Sequence, residues 1–359
     1  MNTYKQDKHM IKSRISILLA TLFVIMLIFN NSYAYYQGPI TDHFDGKVFY
    51  NKNPQYRNTK SLWDIFKWKI NAKTKTWPDK VENKIYDKPP SIVDNDKLRV
   101  SFVGHATVLI QIAGLNILTD PVWSKRASPL SWVGPKRVIA AGVKLEDLPK
   151  IDIILISHNH YDHLDLKTIS TLYYKDKPRI IVPLGNDAII ESYDKNIKCE
   201  AYDWDDQVQL NDKVKIHIEE AVHWSARGIF DRNKALWCAF VIETDAGNVY
   251  FAGDTAYGDG EHFRQARKKH KNFRLALIPI GAFEPRWFMK DNHMNPQDAV
   301  LSFKDLGTEN ALGIHYATFP LADESYEDPG QQIDVLRKTH DISADKFRLI
   351  DVGQNWFVD

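Results

Sequence analysis

The sequence predicts an α+β fold in which two β-sheets pack against each other with helices outside them. Short apolar runs rich in β-branched residues recur from Val100 to Ile314; the part from Leu98 onward opens on such runs alone, and helical patterns join them there from Leu166. Hydrophobic residues at 44% and charged residues at 26% exclude a mainly disordered or fibrous chain. A formal net charge of +1 provides no global field to draw in nucleic acid, so no nucleic-acid partner is expected.

The first 34 residues differ in kind from the rest. Lys5, Lys8, Lys12 and Arg14 precede an uncharged run from Ile15 to Phe29. That run is short for a membrane span of ~20 residues. Ser32 and Ala34 place small residues where a signal peptidase requires them. Residues 1–34 are therefore expected to be a signal peptide cut after Ala34, the alternative being an uncleaved N-terminal membrane anchor. Either puts the rest of the chain outside the cytoplasm, in a bacterial periplasm or on the outer face of the inner membrane.

Residues 35–97, rich in Asn, Lys and Pro with little strand alternation, are expected to form an extension packing on the core. Within it Trp63, Phe66 and Ile70 fall at helical spacing, with Lys60, Lys67, Lys69, Lys73 and Lys75 around them. Such a basic amphipathic helix can lie on an anionic membrane. The favoured expectation is that its aromatics dock the extension onto the core.

Residues 98–359 carry the main domain. Strands are expected at Val100–Val103, Thr107–Ile112, Leu115–Leu118, Ile153–Ile156, Ile180–Val182, Val214–Ile218, Trp237–Ile242, Val249–Ala252, Leu275–Ile280 and Ala311–Ile314. Helices are expected at Leu166–Tyr174, Asn186–Tyr193, Glu261–Lys269, Pro296–Leu306 and Gly330–Thr339. The two cysteines, Cys199 and Cys238, can pair in an oxidising compartment or remain buried apolar thiols.

The chemistry is concentrated where the run Ile154-Leu155-Ile156 passes into Ser157-His158-Asn159-His160-Tyr161-Asp162-His163. In extended chain His158 and His160 project to one side, and a following turn brings Asp162 and His163 to a neighbouring point. This offers two adjacent, unequal sets of metal ligands. Imidazole and carboxylate donors suit zinc, iron or manganese, and the lack of cysteine argues against a purely structural thiolate site.

Two metals need more ligands, and His223, Asp254 and His315 each follow shortly after an expected strand. A lone histidine after a strand usually serves packing. Four ligands followed by His, Asp and His, all at strand ends, are hard to explain that way. Asp254 is placed to bridge two ions ~3.5–4 Å apart, a spacing that serves phosphoryl displacement. Gly253 lets its backbone approach closely.

HNHYDHLD at 158–165, FAGDT at 251–255 and GIHYATF at 313–319 resemble the signature of the metallo-β-lactamase superfamily. GHATVLIQ at 104–111, LTDP at 118–121, RASP at 126–129, GPKR at 134–137 and IGAFEPRWFM at 280–289 resemble the N-acyl-phosphatidylethanolamine-hydrolysing phospholipase D family. The resemblance runs from Leu98 to the C-terminus and implies an αββα four-layer sandwich with two zinc ions. It implies His158, His160 and His223 on one ion, Asp162, His163 and His315 on the other, and Asp254 between them. It matches His293 to a histidine that assists at the substrate phosphate, so Asp162, Asp254 and His293 are the expected catalytic residues. Asp120 is expected to orient a ligand histidine, and His105 to act similarly.

The implied reaction is phospholipase D cleavage of N-acyl-phosphatidylethanolamine to phosphatidic acid and an acyl ethanolamide. Trp123, Trp132, Trp287, Phe288 and Met289 are expected to border the site, as an acyl groove or as ordinary pocket wall and core. A hydrolase of the same fold acting on a lactone or soluble phosphodiester would share every ligand. A non-catalytic metal-binding envelope protein is disfavoured, since structure alone needs only one closed site. A phospholipid or other phosphodiester is thus the expected partner, with peripheral membrane contact and an oligomer both open.

Overall fold

The computed structural model describes residues 35–359 except 58, 59 and 95. The expected signal peptide or anchor lies outside the described residues. Among the described residues no helix is long and apolar enough to cross a membrane.

A meander opens the first sheet: Leu98–Gly104 (β1), Thr107–Ile112 (β2) and Leu115–Thr119 (β3) pair antiparallel. Ala113 and Gly114 form the two-residue turn between β2 and β3, both at positive φ (51° and 76°). This geometry matches the right-handed twist of the flanking strands. Ile153–Leu155 (β4), Arg179–Pro183 (β5) and Glu200–Tyr202 (β6) then add in parallel. Helices Leu166–Asp176 and Asn186–Tyr193 make the crossovers.

Gln207–Asn211 (β7), Val214–Glu219 (β8), Ala239–Thr244 (β9) and Asn248–Phe251 (β10) form the antiparallel part of the second sheet. Phe273–Pro279 (β11), Ala311–Ile314 (β12) and Phe347–Arg348 (β13) extend it in parallel. The chain ends on Asn355–Val358 (β14), which returns to pair with β1. The orders are β14-β1-β2-β3-β4-β5-β6 and β13-β12-β11-β10-β9-β8-β7.

The alternation of side chains along each strand assigns the layers. In the first sheet Val100, Ile110 and Leu155 face the central core, which they share with Ile216, Phe240, Leu277 and Leu312 of the second. Leu109, Ile154 and Val182 face the opposite way, against Ile169, Leu172 and Ile189 of the two crossover helices. Helices Glu261–His270, Pro296–Leu306 and Asp328–Thr339 bury Phe263, Ala266, Val300 and Ile333 against the second sheet. The result is an α/β/β/α sandwich. Both sheets are covered on both faces, which is why the strands read as nearly continuous apolar runs. Each such side chain contributes ~1.5–3 kcal/mol on burial.

Among the described residues, 35–97 form no separate core. Phe44 and Phe49 are fully buried in the central one, with Tyr36 packed edge-on to Phe44 at 5.0 Å. The amphipathic helix forms at Leu62–Asn71, closed by a capping box between Ser61 and Asp64. The expectation for its aromatics is overturned, because Trp63, Phe66 and Ile70 are 68%, 52% and 65% exposed. Docking falls instead to Trp68, which stacks on Phe288 at 4.8 Å and donates from Nε1 to Asp323. Adjacent on the helix but off the stripe, Trp68 belongs to the opposite face.

The two cysteines are not joined; Cys238 is buried and Cys199 half-buried.

Candidate metal centre

The two sheets bring their strand ends together at one edge, and the site is built there. β4 ends at Leu155, and two residues later the Ser157 amide and hydroxyl donate to Asp120 Oδ1 and Oδ2 at 2.7 and 2.6 Å. Asp120 follows β3 and is wholly buried. Its Oδ2 also accepts from His163 Nδ1 at 2.6 Å, which turns His163 Nε2 toward the site. The adjoining His158 Nδ1 donates to the Ser157 hydroxyl at 2.9 Å. Asp165 ends the motif as the cap of the helix Leu166–Asp176.

Two groups of ligand atoms result. In one, His158 Nε2 lies 2.7 Å from His160 Nδ1, which lies 3.3 Å from His223 Nε2. His223 donates from Nδ1 to the Asn292 carbonyl at 2.9 Å, so its Nε2 is left as a lone pair facing the others. In the other, Asp162 Oδ2 lies 2.8 Å from His105 Nε2, 3.3 Å from His315 Nε2 and 3.4 Å from His163 Nε2. Asp254 Oδ2 stands between the groups, 3.2 Å from His163, 3.1 Å from His315 and 3.8 Å from His223.

The residues fit metal ions. Convergent ring nitrogens repel unless a proton or cation lies between them, and buried polar atoms are otherwise paired. Here His163 Nε2 and Asp254 Oδ1 are buried without a hydrogen-bond partner. Every donor is an imidazole nitrogen or a carboxylate oxygen, the set preferred by borderline and hard divalent cations. Electrostatics point the same way. Burial, reinforced by neighbouring imidazoles, holds His158 well below the usual histidine range. Burial also opposes charge on His163 and His315, but Asp254 and Asp162 outweigh it, raising His163 well above the usual range and His315 to about 9. Two buried carboxylates demand positive charge at this point.

The backbone is held in unusual shapes around the centre. His105, Asp120 and His315, none of them glycine, have φ of +60°, +32° and +60°. Gly253 has φ +57°, and a Cβ there would lie 2.5 Å from Ser157 Cβ. Its missing side chain thus makes room for Ser157 at the end of the other sheet, rather than for the ions directly.

His293 reaches the edge of the cluster, with Nδ1 3.8 Å from Asp254 Oδ2 and its ring 5.1 Å from that of His223. Burial pushes it down to about 4. Arg286 steadies the loop, donating to the His293 carbonyl at 3.0 Å and pairing with Asp298 at 2.7 Å. The five expected groove residues do not line one groove. Trp123 borders a cavity of about 780 Å³ with Leu130, Tyr161 and Leu166, while Trp287 borders another of about 400 Å³ with Trp68. Trp132 is 74% exposed, and Phe288 and Met289 pack around Trp68.

Sequence reasoning missed Ser157, Arg227 and Glu324. The buried Glu324 carboxylate accepts from the amides of Ala282 and Glu284 at 2.6 and 3.0 Å, shaping the loop beside His315. Only Ser157 carried a signal, lying inside the motif itself.

Residues 115–316 match the profile of the beta-lactamase superfamily domain. The chain is 36% identical over 270 residues to N-acyl-phosphatidylethanolamine-hydrolyzing phospholipase D 1 of Caenorhabditis elegans, covering 72% of this chain and 75% of the relative. It is 35% identical to the mitochondrial N-acyl-phosphatidylethanolamine-hydrolyzing phospholipase D of Saccharomyces cerevisiae over 267 residues, covering 71% of this chain and 57% of that one. Among solved structures, a metallo hydrolase from the archaeon Ignicoccus hospitalis shares the fold, with a TM-score of 0.54 at 20% identity over 73% of this chain and 99% of the other.

Proposed function

The chain belongs to the N-acyl-phosphatidylethanolamine-hydrolysing phospholipase D family of metallo-β-lactamase-fold, metal-dependent hydrolases, and from that premise we propose that it is a dinuclear zinc phosphodiesterase cleaving N-acyl-phosphatidylethanolamine. The observation that carries the metal part is Asp254 Oδ2, shared between two groups of buried ligand atoms. His158, His160 and His223 would hold one ion, and Asp162, His163 and His315 the other. Divalent ions there would acidify water and neutralise charge building on a phosphoryl group.

The chain's own residues prepare that chemistry. Asp120 fixes the His163 ring through Nδ1. His105 Nε2 holds Asp162 in place. His293 stands beside Asp254 with a side chain 14% exposed, where its ring can meet a phosphoryl or leaving-group oxygen.

A lipid substrate is supported by the exposed stripe Trp63, Phe66 and Ile70, bordered by Lys67. Lys60 Nζ donates to the Trp287 carbonyl at 3.1 Å and pairs with Asp291 at 3.1 Å, so this helix is tied to the loop that carries His293. We place the stripe against an anionic membrane, outside the cytoplasm after export.

The test is mass spectrometry of products from purified, metal-quantified protein given N-acyl-phosphatidylethanolamine, with Asp254→Asn as control. Release of acyl ethanolamide and phosphatidic acid, lost in the control, is expected. Bound metal with turnover only of a lactone or soluble phosphodiester would remove the lipid assignment.

A further inference from the structure

We infer that Arg227 is a positioning residue that clamps the ligand-bearing loop into its metal-competent shape before any ion binds, an inference that rests on the metal-centre reading above. Arg227 lies a few residues after His223 in the connection between β8 and β9. Its Nη1 donates to the Asn159 carbonyl at 2.8 Å and to the Leu164 carbonyl at 2.9 Å. Those carbonyls bracket His160, Asp162 and His163, so one nitrogen closes the loop from both ends. Between them the guanidinium lies 3.9 Å from the centre of the Tyr161 ring. A planar, always-charged group suits this place, because it stacks on the ring while donating at its edge.

The clamp is itself braced. Asp231 accepts from the Arg227 amide at 3.0 Å and from the Gly228 amide at 2.8 Å, forming the turn that presents the guanidinium. Tyr35 donates from its hydroxyl to Asp231 Oδ2 at 2.9 Å. A chain of contacts therefore runs from the start of the described extension through Asp231 and Arg227 to the loop with three ligands. Since His223 and Arg227 share one connection, the two segments that form the three-histidine group are joined without any ion between them. None of these contacts involves a metal-ligand atom, so the clamp acts on where the ligands stand rather than on the reaction. Preformed ligands lose less freedom on binding, and groups behind a ligand typically affect metal affinity 10–100-fold.

The full-length chain is titrated with Zn²⁺ against a chromophoric chelator, and the visible absorption of its Co²⁺ form is recorded. Arg227→Met is expected to weaken Zn²⁺ retention about 10–100-fold and to alter the Co²⁺ bands. Arg227→Lys, which keeps a donor but not the flat stack, is expected to restore part of both. Should Arg227→Met fail to fold, Arg227→Lys alone is read, with several-fold weaker Zn²⁺ retention expected. Zn²⁺ retention and Co²⁺ bands equal to the unaltered chain's in the variant read would overturn the clamp while the metal centre stands. An unaltered chain that itself retains no Zn²⁺ would overturn both.

Discussion

In the first sheet the antiparallel ladder from β14 to β3 gives way to the parallel strands β4 to β6, and in the second the ladder from β7 to β10 gives way to β11 to β13. The two halves repeat one strand pattern but contribute to the site differently. The first concentrates His158, His160, Asp162 and His163 on one loop after β4. The second spreads His223, Asp254 and His315 over three separate connections after β8, β10 and β12. The concentrated half depends on shared braces, with Asp120 and Arg227 each fixing several groups. In the dispersed half each ligand has its own support: the Asn292 carbonyl for His223, the close approach of Gly253 for Asp254, and the His105 carbonyl accepting from the His315 amide at 2.8 Å. The difference teaches that losing a brace in the first half should disturb several ligands together, while losing a support in the second should disturb one.

The sharpest break in that comparison is Asp254, a second-half ligand whose Oδ2 stands between both groups. Asp254→Ala is expected to lower metal content at both positions and hydrolysis by more than ~100-fold, beyond the effect of a group behind a ligand. Elemental analysis beside initial rates checks this. Asp120→Asn, in the first half, should cost about 10–100-fold in metal affinity, read by chelator competition, because His163 and the Ser157 hydroxyl behind His158 lose their shared acceptor together. Gly253→Ala forces a Cβ against Ser157 and strains φ, and should destabilise the fold by about 1–3 kcal/mol in denaturant titration. Trp63→Ala with Phe66→Ala should be mildest, cutting binding to anionic vesicles several-fold while rates on a soluble phosphodiester stay unchanged. Unaltered vesicle binding would remove the stripe from the lipid surface.

The same contrast governs what could be read from the sequence. The loop after β4 was legible because its ligands are contiguous and follow a run of buried apolar residues. His223, Asp254 and His315 became legible only as a set, each weak alone but all placed after strands. β6, β7, β13 and β14 escaped notice because they are short or carry exposed polar residues, such as Gln207 and Asn355. Periodicity placed Trp63, Phe66 and Ile70 on one stripe correctly but could not say which face of the helix meets the core, since Trp68 offers an aromatic on the other side. Arg227 was invisible because its partners are backbone carbonyls, which leave no trace in residue identity.

The most direct test of the two-metal centre is anomalous X-ray diffraction from crystals of the Zn²⁺-loaded protein. Two peaks are predicted, one within ~2.0–2.2 Å of ligand atoms from His158, His160 and His223, the other within that distance of Asp162, His163 and His315, with Asp254 touching both. A single peak, or two peaks that leave Asp254 uncoordinated, would contradict it.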